Sequence, residues 1–244
     1  TISQMVDKII AYTNPKSFGD WRNNVCFIAD DEDQNIHLDD GQIFSAIVES
    51  QDKVYNVDKI YLDAYKQVSV GSGARYPEVN EQINRKMQKG VLIINYNGHG
   101  GELGLANEQI LDVPMINAWS NINNMPLFVT ATCEFSRFDD PARASAGELA
   151  LLNPNGGAIA LLTTVRLVYQ WPNRQLNRAL YDNNVFEPIN GEMPRLGDVF
   201  RKTKNGAPSL NSRNFTLLGD PAVLTELNMH EFAQVSCSGP RFNY

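Results

Sequence analysis

The stretch Val91–Gly101 reads VLIINYNGHGG, and Leu127–Cys133 reads LFVTATC. Each is an apolar, β-branched run that stops at a chemically capable residue, His99 after the first and Cys133 after the second. Short apolar runs bounded by glycine or polar clusters read as buried strands of a parallel sheet. In open α/β sheets, ligands and catalytic groups gather at the carboxyl ends of the strands. An imidazole and a thiol at two such ends read as a cysteine-nucleophile acyl-transfer site.

Working outward, apolar residues at 2, 5, 6, 9 and 10 give a helical stripe over Ile2–Tyr12, followed by a polar loop to Asn24. Val25–Ala29 reads as a first strand and runs into the acidic cluster Asp30, Asp31, Glu32, Asp33. A helix is expected over Asp39–Glu49 and a strand over Lys59–Tyr65. A further helix spans Tyr76–Lys89, with Pro77 in its first turn and Gly90 past its end. Beyond the strand Val91–Tyr96, the pattern predicts a helix over Leu111–Ile122 and a strand over Leu127–Ala131. A helix over Ala144–Leu152, a turn over Asn153–Gly157 and a strand over Ala158–Thr164 follow. Helices over Asn173–Tyr181 and Leu196–Lys202, a Gly-Asp-Pro turn and a last strand over Ala222–Leu227 complete the order. This alternation predicts an α/β fold in three α/β/α layers, with a mostly parallel sheet of about six strands. If the third and fourth strands are neighbours they lie about 4.8 Å apart, which brings His99 and Cys133 to one edge.

The chain has 244 residues, enough for one sizeable α/β domain or two small ones, and 43% of them are apolar. No stretch approaches the roughly 18 apolar residues of a membrane-spanning helix. The net charge of −7 argues against nucleic acid as a partner. Three cysteines do not make a disulfide framework. Cys26 lies in an apolar run and reads as a packing residue, and Cys237 lies in a polar tail. A chain beginning at Thr1 without a signal peptide fits a cytosolic protein or a domain cut from a longer secreted one.

A free thiol is only slightly ionised near neutral pH, so Cys133 needs a base, and an imidazole can serve and then protonate the leaving amine. The bland alternatives are a buried structural cysteine and a loop histidine among Gly98, Gly100 and Gly101. Those glycines also admit a substrate carbonyl close to the backbone. The amides of Gly100 and Cys133 can then form an oxyanion hole. A phosphate cradle is a poor reading of NGHGGELG, because no Lys-Ser/Thr pair follows. The imidazole needs an orienting group, and the cluster after the first strand offers Glu32, with Asp31 behind it. The same cluster also reads as a solvated turn or a calcium loop, with Asp31 and Asp33 as ligands. His37 and His230 are expected to have surface roles.

At NYNGHGG and TATCEFSRFDDP the chain resembles the gingipain-type cysteine peptidases of family C25, which have the caspase-like (caspase-hemoglobinase) fold. VCFIADDED, SAGELALLNPNGGAIALLTTVR and FTLLGDP extend the resemblance over nearly the whole chain. It implies a His99–Cys133 dyad. It places the acidic partner at Glu32, through an Ile-Ala-x-x-Glu pattern met by Ile28-Ala29-Asp30-Asp31-Glu32. Asp39 or Asp40 falls near the family's acidic specificity residue, though spacing and context differ, so no Arg or Lys preference is carried over. Glu134, next to the nucleophile, is a further substrate-contact candidate. No cofactor is implied as a requirement, and calcium is admitted as a structural ion.

Within the family the likeness is to the C-terminal signal peptidases, or sortases, of the type IX secretion system. That implies a cell-surface location outside the outer membrane of a Bacteroidota-type bacterium. It implies cargo proteins with C-terminal secretion signals as substrates, outer-membrane components such as PorV as partners, and an amine on anionic lipopolysaccharide, or water, as acyl acceptor. It also divides the chain into a helix and linker from a preceding subdomain (1–20), the catalytic domain (21–228) and a tail (229–244). A gingipain-like endopeptidase and an inactive scaffold in a secretion complex are the competing readings.

Overall fold

The computed structural model describes residues 2–51, 54–183, 185 and 193–224. Six strands form the central sheet: β1 Asn24–Ala29, β2 Asn56–Tyr61, β3 Ile93–Asn97, β4 Leu127–Ala131, β5 Ala160–Thr164 and β6 Phe215–Leu218. Their order across the sheet is β6-β5-β4-β3-β1-β2. All neighbours are parallel except β6, which runs antiparallel to β5. The helices are α1 Ile2–Thr13, α2 Ile36–Gln51, α3 Pro77–Lys89, α4 Val113–Ala118, α5 Ala146–Leu152, α6 Gln170–Asn183 and α7 Leu196–Gly206.

The strand sequences explain the layering. β3, β4 and β5 are buried at every position, as strands covered on both faces must be. Successive side chains alternate between two cores. Cys26, Ile28, Ile94, Tyr96, Phe128 and Leu161 pack against α3, α4 and α5. Val25, Phe27, Ile93, Leu127, Val129 and Leu162 pack against α2, α6 and α7. Among the described residues no helix is long and apolar enough to cross a membrane.

Local chemistry sets the helix ends. Ser145 and Glu148 form a reciprocal capping box that starts α5, an arrangement worth about 1 kcal/mol. Asp112 accepts from the Met115 amide at 2.9 Å and starts α4, with Pro114 in its first turn. The helix expected from Leu111 therefore begins at Val113 and ends by Ala118.

Other expectations are corrected. The strand foreseen over Lys59–Tyr65 starts earlier and stops at Tyr61, where a 3-10 turn takes over. The last sheet strand is Phe215–Leu218, not Ala222–Leu227. In the latter segment Leu224 makes only an isolated bridge to Arg195, and the residues after it lie outside the described ones. His230, Cys237 and the expected tail lie there too. Two ribbons escaped the periodicity reading because their strands are two or three residues long. One pairs Val68–Val70 with Gly73–Arg75. The other runs Gly100–Gly101, Gly104–Leu105, Leu111–Asp112, directly after His99.

Candidate active site

Register brings the two decisive strand ends together. Asn97 of β3 is paired with Ala131 of β4, and His99 and Cys133 each lie two residues further on. Both line a cavity of about 160 Å³, together with Asp33, His37, Asn97 and Val168. On the other flank of His99 opens a cleft of about 780 Å³, lined by Gly100, Glu102, Glu134 and Arg143 among others.

The main chain of His99 is clamped on both sides. Its amide donates to Asp30 Oδ2 at 2.9 Å. Its carbonyl accepts from the Tyr96 hydroxyl at 2.6 Å and from the Ala106 amide at 2.8 Å. Asp30 is fully buried, and burial pushes its carboxyl above the usual range while the His99 amide pulls it back. A Cβ on Gly98 would stand 2.4 Å from Asp30 Cβ and from the Tyr96 hydroxyl oxygen, so only glycine lets the chain pass between them.

Cys133 is half-buried, and its thiol faces the Val168 carbonyl at 3.6 Å. Glu134 next to it has φ +50°, a left-handed conformation rare for a residue with a side chain and concentrated at functional sites. The loop is pinned from both sides. Glu134 donates its amide to Arg166, and Ser136 donates its amide to Thr164. The Ser136 hydroxyl shares a hydrogen bond with Thr163, which also accepts from Thr130. Beneath it a Cβ on Gly147 of α5 would meet Ser136 Oγ at 1.8 Å.

The acidic partner differs from the expected one. Asp33 Oδ2, not Glu32, makes the short contact to His99 Nε2, at 2.8 Å. Glu32 lies 3.6 Å from that nitrogen and accepts instead from Asn107 at 2.7 Å. The reason is the backbone: Asp33, Gln34 and Asn35 all have φ between +55° and +67°, and this left-handed turn swings Asp33 toward the imidazole. The hydrogen bond from His99 holds the Asp33 carboxyl below the usual carboxylate range. With Asp33 charged, a ring proton on Nε2 is held toward it and Nδ1 is left as the acceptor nitrogen.

Asp31 accepts from the Tyr76 hydroxyl at 2.6 Å and belongs with Asp30 and Glu108, whereas Asp33 belongs with His37 and His99. The expected calcium ligands Asp31 and Asp33 fall in two different donor groups. The Asp30–Asp31–Glu108 group is the better fit for a hard cation, since Asp31 Oδ1 and Glu108 Oε2 are buried without a hydrogen-bond partner. Asp39 is exposed on α2. Asp40 is buried, accepts from Gln170 at 2.7 Å and lies 3.0 Å from Arg174 Nε; burial raises its carboxyl while these two partners oppose the shift. Glu134 lies 3.6 Å from Arg137 in the wall of the larger cleft. Gly100 sits opposite Leu105 between ladder bonds, so its amide is turned away from the partner strand.

His37 is not a surface residue: it is 7% exposed, and its ring stands edge-on to that of His99 with centroids 5.3 Å apart. The signal for it was the spacing Asp33-x-x-x-His37, which puts both side chains on one side of a turn. Nothing in the sequence announced Val168.

The family model described as peptidase family C25 matches residues 1–225. The chain belongs to this family. A comparison with curated proteins gives no match. Among solved structures, the chain is similar to the Arg-specific cysteine proteinase gingipain R, with a TM-score of 0.72 and 14% identity over 91% of this chain and 52% of that one. It is similar to a structure described only as a protease, with a TM-score of 0.69, 16% identity and 91% and 53% coverage. It is also similar to a complex of the pro- and mature domains of RgpB from Porphyromonas gingivalis, with a TM-score of 0.68, 15% identity and 91% and 53% coverage. These likenesses show the fold, which is the caspase-like three-layer one that the resemblance implied. The chain spans about half the length of the structures it matches. This C25 chain carries its two candidate catalytic residues just past the ends of adjacent parallel strands.

Proposed function

We propose that this C25 chain is the catalytic part of a cysteine peptidase in which Cys133 is the nucleophile and His99 the general base. One observation carries the reading: imidazole and thiol follow paired strand ends and line one cavity, with Asp33 on Nε2 of the ring. His99 Nδ1 takes the thiol proton, and Sγ attacks the scissile carbonyl. The oxyanion accepts hydrogen bonds from the Gly100 and Cys133 amides. As the C–N bond breaks, His99 returns the proton to the leaving amine and an acyl-thioester remains. Water or a second amine attacks that thioester and restores the thiol. Calcium, as a structural ion, would be held by Asp30, Asp31 and Glu108, on the fit described above.

The finer reading is a sortase of the PorU type, acting at the cell surface in type IX secretion. It would remove the C-terminal signal of cargo proteins and pass the acyl group to an amine on anionic lipopolysaccharide or to water, beside outer-membrane partners such as PorV. The motif resemblance supports it. A gingipain-like endopeptidase is supported equally by family and fold. Specificity for a basic side chain finds less support. Asp40 is the acidic residue in the cavity wall near the expected specificity position, and Arg174 of the same chain already lies against it.

The test uses the full-length protein and a cargo bearing its C-terminal signal. Cys133→Ala is expected to leave cargo uncleaved, and unaltered processing would sink the peptidase reading. Mass spectrometry of the new cargo terminus separates the two activities. An amide to an exogenous amine indicates transpeptidation, and a free carboxylate alone indicates hydrolysis.

A further inference from the structure

Beside the proposed dyad, three donor atoms converge that the peptidase chemistry does not jointly need. Asp33 Oδ2 lies 2.8 Å from His99 Nε2 and 3.4 Å from His37 Nε2, and one donor atom from each of the three residues lies within 4.8 Å of the other two. Donors bound to one tetrahedral Zn²⁺ at about 2.0–2.1 Å stand about 3.3 Å apart, so little adjustment is required. A second observation is independent of this spacing. The His37 side chain is 9% exposed, and its Nε2 makes no hydrogen bond. Its contact to Asp33 Oδ2 is a 3.4 Å ion-pair distance rather than a made hydrogen bond, which leaves a buried imidazole nitrogen under-satisfied beside the carboxylate. The left-handed run Asp33–Asn35 presents Asp33 to both. Imidazole nitrogens with one carboxylate favour a first-row transition cation over calcium or magnesium.

We propose that Asp33, His37 and His99 form a regulatory site for a divalent transition cation of the Zn²⁺ kind, whose occupancy switches the catalytic base off. Binding by the three side chains stands on geometry alone; the switching rests on the peptidase reading. The mechanism is a tautomer change. In the metal-free site Nε2 of His99 holds the ring proton against Asp33, and Nδ1 is free to accept. A cation on Nε2 displaces that proton, and the neutral ring then carries its one proton on Nδ1, which can no longer accept from Cys133. Asp33 is drawn from orienting the ring to ligating the ion. Removing the cation reverses each step without breaking a covalent bond.

The experiment titrates Zn²⁺ into metal-free Cys237→Ser protein against a chromogenic chelator, and follows the imidazole ring nitrogens by NMR. One equivalent is expected to bind in the micromolar range or tighter, shifting both His37 and His99. His37→Gln and the surface-exposed Asp33→Asn should each weaken binding by about tenfold or more. Loss of binding in neither variant, or a shift confined to one of the two rings, would overturn the site. In parallel, a peptidyl electrophile that alkylates Cys133 should react about tenfold or more slowly with Zn²⁺ present and recover with chelator. Labelling unaffected by bound Zn²⁺ would overturn the switch. Labelling absent even without metal, with binding intact, would refute the peptidase reading and leave the metal site standing.

Discussion

Asp33 Oδ2 lies 2.8 Å from His99 Nε2, and the next carboxylate, that of Glu32, lies 3.6 Å away. The difference ranks the two acids. In the proposed peptidase Asp33 sets the tautomer of His99, while Glu32 accepts from Asn107. Asp33→Ala is expected to lower kcat by about 10–100-fold with KM little changed, as loss of a group that orients a catalytic ring does. Glu32→Gln should stay within about threefold, since an amide oxygen still accepts from Asn107. The reverse ranking in steady-state kinetics would return the role to Glu32.

The gap between Asp30 and Tyr96 admits no methyl group at position 98. Gly98→Ala should destabilise the fold by about 2–4 kcal/mol and loosen the clamp on His99. Urea titration gives the first quantity. Activity measured where the variant is still fully folded gives the second, and it should fall by about tenfold or more. Full activity in the folded variant would show that the clamp is not needed to place the imidazole.

Cys26 is fully buried, and burial pushes its thiol up to about 12, whereas Cys133 is partly open to solvent. Iodoacetamide near neutral pH should modify Cys133 about 1000-fold faster than Cys26, because only the thiolate reacts. Peptide mapping reads each cysteine separately. Comparable modification of Cys26 in the folded protein would contradict its placement in the core.

Lys8 is 1% exposed, and its ammonium donates to the Leu151 carbonyl at 2.5 Å. Burial lowers its pKa from 10.5 to about 8. Between these values the unfolded chain holds more protons than the fold, so the Lys8 contribution to stability rises with pH across that window; below about 8 the full penalty applies. Lys8→Met keeps the stem and removes the slope. Wild type should therefore gain about 1–2 kcal/mol relative to the variant between about pH 8 and 10. A pH-independent difference in denaturation would rule this out.

Much of this site was legible because its chemistry sits where strands end. VLIINYNGHGG and LFVTATC carry burial, strand length and the terminal functional group in the same few residues, and a crossover between them makes them neighbours. What was not legible depends on backbone conformations that side-chain patterns do not encode. Three consecutive left-handed residues bring Asp33, not Glu32, to the shorter contact with His99, and His37 lies buried beside it. The ribbon after His99 and the short edge strand Phe215–Leu218 have too few residues to show a period. Their pairing is decided by contacts distant in sequence.

The clamp on His99 uses its amide and carbonyl, not its ring. A residue held by its peptide groups keeps its place as long as Asp30 and Tyr96 are present, whatever side chains line the cleft. The ribbon that follows, Gly100 to Asp112, walls the larger cleft and can accumulate substitutions without displacing the base. In the proposed peptidase the cleft wall and the His99–Cys133 pair are thus carried on separable pieces of chain.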